Sequence, residues 1–138
     1  MNKTANNLYT AHVHTVGGRE GTARSLDGRL DVRLSRPGSA GEGTNPEQLF
    51  AAGWSACFEG AMVRAARTLD VTLPQPPSID AEIGLNQGED GFFLSARLTI
   101  DVPGLDRALT EQVVEAAHRI CPYSKATRGQ IDVVLMVA

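Results

Sequence analysis

From Thr44 to Leu69 the chain reads TNPEQLFAAGWSACFEGAMVRAARTL, and this stretch limits what the rest of the sequence can build. Thr44 and Asn45 are N-cap types, Pro46 suits a first helical turn, and Glu47 and Gln48 favour the positive end of the helix dipole. Between Phe50 and Phe58 there is no charged residue. The segment therefore predicts a long helix, apolar on all sides, and such a helix belongs inside the fold. Cys57 sits halfway along it. A thiol there is most often inert packing, because free cysteine behaves as a small hydrophobe, and whether Cys57 is core or chemistry is for the rest of the sequence to decide.

A chain of 138 residues fits a single domain, residues 1–138, long enough to bury a core. With 42% hydrophobic and 21% charged residues it reads as globular rather than disordered. The formal net charge of -3 offers no basic footprint, so nucleic acid is not an expected partner. No N-terminal charged region precedes an apolar run of about 7–15 residues, and no uncharged run reaches the ~18 residues of a membrane span. Two cysteines without a secretion signal do not suggest a structural disulfide framework. The expectation is a cytoplasmic protein with no membrane association, whose cysteines are redox-active, metal-binding or simply buried.

The flanking segments predict sheet. Leu8 to Val16 (LYTAHVHTV) alternates as a strand, with His12 and His14 on one solvated face. GGREG at Gly17 to Gly21 is a turn that carries Arg19. Leu30 to Ser35 alternates again, and the short connections predict an N-terminal antiparallel meander. Pro37 to Gly43 (PGSAGEG) is a loop matching neither GxGxxG nor GxxxxGK[ST], so no phosphate cradle is expected. The long helix must end before Pro74, Pro76 and Pro77. Arg64 and Arg67 near its C-terminal end are explained by the helix dipole. Ser78 to Asn86 and Gly91 to Val102 form a hairpin, with Ile79, Ala81, Ile83 and Leu85, and Phe92, Leu94, Ala96, Leu98, Ile100 and Val102, on its buried side. A second helix spans about Asp106 to Ile120 with Leu109, Val113, Ala116, Ala117 and Ile120 as its stripe, and stops at Cys121–Pro122. Gln130 to Val137 closes the sheet. The predicted fold class is α+β, with mostly antiparallel sheets packed around the long helix that carries Cys57.

The two cysteines lie in unlike settings. Cys57 is in mid-helix, whereas Cys121 is at a helix end beside a proline, a place that can move. The layout suits an attacking and a resolving thiol, but it is also what chance gives two core cysteines, and spacing alone favours the latter. Zinc is disfavoured because there is no CxxC; His118, three residues before Cys121, leaves a Cys–His pair open.

TNPEQLFAAGWSACF at Thr44 to Phe58 and CPYSKATRG at Cys121 to Gly129 resemble the two signature segments of the organic hydroperoxide resistance family, within the OsmC-like superfamily. The GGREG turn resembles that family's arginine turn, and the order of elements fits along essentially the whole chain. The sequence departs from the pattern at Trp54, where tyrosine is more usual, and at Lys125 and Gln130, where asparagines are. These departures bear on pocket shape rather than on thiol chemistry. The resemblance implies a thiol peroxidase that reduces alkyl and fatty-acid hydroperoxides to alcohols. Cys57 would be the peroxidatic and Cys121 the resolving cysteine, with Arg19 and Glu47 as the activating pair. The resemblance further implies that the external reductant would be a dihydrolipoyl group on a lipoylated protein, with no bound metal, haem or flavin. The family forms an intertwined homodimer with sites at the subunit interface. The alternatives are an OsmC-type peroxidase of broader preference, or a peroxide sensor or hydrophobic-ligand binder on the same fold.

Elementary chemistry supports those roles. A thiol with the reference pKa of ~8.5 is about 3% thiolate at pH 7, and apolar burial lowers that fraction. Cys57 therefore needs a cation, and Arg19 never loses its charge. Each unit of pKa depression requires ~1.4 kcal/mol of preferential thiolate stabilisation. Glu47 would hold the guanidinium by a bidentate pair. Leu49, Phe50, Trp54, Phe92 and Phe93, with Tyr123 beside the resolving cysteine, are the expected walls of a pocket for an alkyl tail. Ten residues of regular helix span about 15 Å. Glu47 and Cys57 then meet one Arg19 only if the helix starts later than Glu47, or if Glu47 serves the partner's site in an obligate dimer.

Overall fold

The computed structural model describes residues 5–138, and the chain divides after Pro46 into two compact units. In the first, β1 (Val13–Val16), β2 (Thr22–Ser25) and β3 (Asp31–Arg33) form the expected antiparallel meander, in that order. Two of its details differ from the sequence reading. The first strand is four residues long rather than nine; Leu8 and Tyr9 lie outside it and are 95% and 78% exposed. β2 was not expected, because TARS buries only Ala23 and so carries no apolar alternation. Between β1 and β2 the chain makes a single 3-10 turn, Gly18–Glu20, which holds Arg19. Gly17 enters this turn at φ 82°, and at position 21 any Cβ would collide with the Val16 carbonyl oxygen. Both glycines are thus conditions for the turn.

The second unit holds α1 (Pro46–Thr68), β4 (Ser78–Gly88), β5 (Gly91–Asp101), α2 (Arg107–Ile120), α3 (Pro122–Thr127) and β6 (Asp132–Val137). β4 and β5 are the expected hairpin, and β6 lies parallel to β5, making β5 the centre of a three-stranded sheet. The parallel pairing is possible because α2 and α3 supply a crossover. Neither α1 nor any other described helix is long and apolar enough to cross a membrane.

The core is formed by one face of α1 (Trp54, Phe58, Ala61, Met62, Ala65, Ala66), the inner half of β5 (Ala96, Leu98, Ile100) with Val102 just beyond it, and α2 (Val113, Val114, Ala117) with Cys121. Three expectations need correction. α1 is buried on one side, not all round: Ala52, Ala56, Gly60 and Val63 are exposed in the isolated chain. The hairpin is buried only in its inner half, since Leu85, Phe92 and Phe93 near the turn are exposed. The buried stripe of α2 is Thr110, Val113, Val114 and Ala117, while Leu109 and Ile120 face outward. In this last case the sequence reading took the apolar residues and passed over Thr110, which is buried because its hydroxyl donates to the Asp106 carbonyl at 2.9 Å. Asp106 itself caps α2, its carboxylate accepting from the Leu109 N–H at 3.4 Å.

Candidate active site

Cys121 occupies a joint. It is the last cap of α2, its N–H donating to the Ala117 carbonyl at 2.8 Å, and the N-cap of α3, its carbonyl accepting from the Lys125 N–H at 2.9 Å. Pro122 excludes the helical conformation from the residue before it, and Cys121 is accordingly extended, at φ -63° and ψ 123°. Proline also suits the first position of a helix, which explains α3, an element not expected from the sequence. Cys121 is held by backbone on both sides and is fully buried.

Opposite it, Phe50, Gly53, Trp54 and Cys57 fall at the spacing that puts them on one face of α1. Cys57 Sγ lies 3.4 Å from Cys121 Sγ, with both thiols free and the Cys121 thiol placed to donate. This is contact, not a bond, which would need ~2.05 Å. Tyr123 closes the site from the α3 side. The polarity of its backbone N–H favours the Cys57 thiolate. Its ring lies over Gly53, where an added Cβ would sit 2.8 Å from the phenol oxygen. Phe50 stacks on Trp54 with centroids 5.5 Å apart and stands 6.1 Å from the Tyr123 ring. Behind the sulfurs, Trp54 Nε1 donates to Ser124 Oγ at 3.2 Å, both residues fully buried.

Burial pushes the Cys57 thiol up from its ordinary value; the Tyr123 N–H and the charge of Arg64 pull the other way. Arg64 is on the same face of α1 two turns beyond Cys57, and helical side chains lean back toward the N-terminus. Of the remaining sequence candidates, Arg19 stands in the 3-10 turn of the first unit, and Glu47 in the first turn of α1. Because α1 begins at Pro46, a helix starting later than Glu47 is ruled out. Leu49 and Phe50 are half-buried, Trp54 is core, and Phe92 and Phe93 stand on the exposed end of β5. His118 makes no pair with Cys121: its Nδ1 is buried without a hydrogen-bond partner, and burial together with Arg128 lowers its pKa. Among the described residues no three His, Cys, Asp or Glu side chains come together as a metal site.

Gly53, Ser124 and the Tyr123 N–H were missed by the sequence reading. Gly53 could have been found from its helical register with Cys57. The other two depend on α3, which only Pro122 announces.

Residues 38–136 match the family described as OsmC-like protein. The organic hydroperoxide resistance protein of Xanthomonas axonopodis pv. citri (strain 306) is 52% identical over 135 residues, 95% of each chain. The organic hydroperoxide resistance protein OhrB of Bacillus subtilis (strain 168) is 42% identical over 133 residues, 93% of this chain and 96% of that one. The crystal structure of the Bacillus subtilis protein superposes with a TM-score of 0.90 over 96% of this chain and 100% of the other.

Proposed function

The chain belongs to the OsmC-like family, alongside organic hydroperoxide resistance proteins, and on that premise we propose that it is a cysteine peroxidase reducing organic hydroperoxides to alcohols. The observation that carries this reading is the 3.4 Å separation of two free thiols contributed by different helices. The Cys57 thiolate attacks the distal oxygen of the peroxide; the O–O bond breaks, the alkoxide leaves as alcohol on taking a proton, and Cys57 becomes a sulfenic acid. The Cys121 sulfur then attacks the Cys57 sulfur, water leaves, and a disulfide remains. An external dithiol, for which we propose the dihydrolipoyl group of a lipoylated protein in the cytoplasm, returns both cysteines to thiols and is itself oxidised to a disulfide.

Activation falls to cations, because burial alone works against the thiolate. Arg64 and the Tyr123 N–H act within the second unit, and Arg19, oriented by Glu47, is the proposed additional charge. Phe50 and Tyr123 are the apolar neighbours available to an alkyl tail. A tail with surface to bury favours alkyl substrates over hydrogen peroxide. A homodimer accounts for the uncovered face of α1 and the exposed Leu8 and Tyr9.

Steady-state rates with dihydrolipoamide, comparing tert-butyl hydroperoxide with hydrogen peroxide, test this assignment. The expected result is a kcat/KM for the alkyl peroxide higher by about tenfold or more, the factor that ~1.4 kcal/mol of tail burial gives. Equal values would favour a peroxidase of broader preference. One-equivalent oxidation without recycling would favour a sensor.

A further inference from the structure

α3 has only six residues, yet with its N-cap it carries several of the groups that face the Cys57 side of α1. Cys121 is its N-cap, Tyr123 supplies both the N–H that favours the thiolate and the ring over Gly53, and Ser124 accepts from Trp54. The cross-links between α1 and α3 have a simple register. Cys57 faces Cys121; three residues earlier on α1, Trp54 faces Ser124, three residues later on α3. The second link therefore lies one helical turn from the first on both elements. Its two polar atoms are in fully buried residues, out of reach of water. Either one without the other would be an unsatisfied group in the core, which keeps the link closed.

We propose that the Trp54–Ser124 hydrogen bond is a clasp that positions α3 for the second half of the thiol reaction. It rests on the peroxidase reading for its role in turnover, although its effect on the dithiol does not. The sulfurs must close from 3.4 Å to ~2.05 Å when water leaves the Cys57 sulfenic acid and the S–S bond forms. Holding Ser124 against α1 limits the excursions of Cys121 and raises the fraction of time it spends within reach of the Cys57 sulfur. Trp54 and Ser124 hydrogen-bond to each other and not to either sulfur; they are positioning residues. Loss of the clasp slows resolution and weakens the disulfide while leaving the first attack on peroxide nearly unchanged.

The test uses W54F, which keeps a ring, S124A, which removes only the hydroxyl, and the double variant, each checked for cooperative unfolding. After one equivalent of tert-butyl hydroperoxide, trapping of the sulfenic acid by dimedone is followed against time by mass spectrometry. The dithiol–disulfide equilibrium is measured separately in glutathione buffers, where no peroxide is involved. The expected result is resolution slowed about tenfold and disulfide formation in glutathione less favourable by a similar factor, as a lost buried hydrogen bond supports. Peroxide consumption in the first turnover of S124A stays within about twofold, and the double variant is no worse than the poorer single one. Wild-type behaviour of folded S124A in both measurements would overturn the clasp, as would equal slowing of attack and resolution. Should W54F fail to fold, S124A alone decides. A wild-type protein that forms the disulfide in glutathione but consumes no peroxide would sink the peroxidase reading and leave the clasp to the glutathione result.

Discussion

Half-burial pulls the Cys57 thiol in two directions. Desolvation favours the neutral form, and the Tyr123 N–H and Arg64 favour the anion, with burial the larger effect. Since the folded thiol titrates above its ordinary value, its contribution to stability is complete below the ordinary thiol range and is lost as pH rises through the folded value. Reactivity has the opposite slope, rising with pH as thiolate appears. Arg64→Ala removes an attraction to the anion, so the pH profile of Cys57 alkylation moves to higher pH, while Arg64→Lys stays near wild type. An unchanged profile in Arg64→Ala would remove Arg64 from the account. Sequence reasoning assigned this arginine to the helix dipole alone. Its helical register with Cys57 was legible, but the pull of burial against which it acts was not, because exposure of Cys57 depends on how α3 lies over it.

Whole elements were legible where periodicity and punctuation agree. α1 and α2 run from Pro46 and Arg107 within two residues of expectation, since N-cap types precede them and a proline follows α2 directly. The β4–β5 hairpin was legible from its alternation and the turn-rich NQGEDG between the two strands. Strands as short as β2 and helices as short as α3 carry too few residues for either period to register. Burial was the harder inference. Alternation along β5 gave the inward residues from Ala96 to Ile100, but could not tell that the sheet outruns its cover at Phe92 and Phe93. The same gap explains the candidate site. Cys57 and Cys121 came from signature segments and do meet in space, whereas the aromatic walls were chosen by composition and are scattered among core, site and exposed strand end.

On the scale of the molecule, the uncovered stripe Ala52, Ala56, Gly60 and Val63 on the longest helix argues for association. Small residues allow close approach of a second surface, and a helix with an apolar outer face is otherwise costly in water. Ala56→Glu places a charge in the middle of this stripe. For the proposed homodimer the expected outcome is conversion to a monomer in sedimentation or gel filtration at micromolar concentration; an unchanged assembly would direct the interface elsewhere. The central claim is narrower than assembly. It is that Cys57 is the atom that meets the peroxide and Cys121 the one that resolves it. Pre-reduced protein treated with one equivalent of tert-butyl hydroperoxide, without added reductant, tests it most directly by mass spectrometry. Wild type should yield the Cys57–Cys121 disulfide, Cys121→Ser a trapped Cys57 sulfenic acid, and Cys57→Ser no oxidation on the same timescale. Oxidation of Cys121 at the wild-type rate in Cys57→Ser would contradict the account.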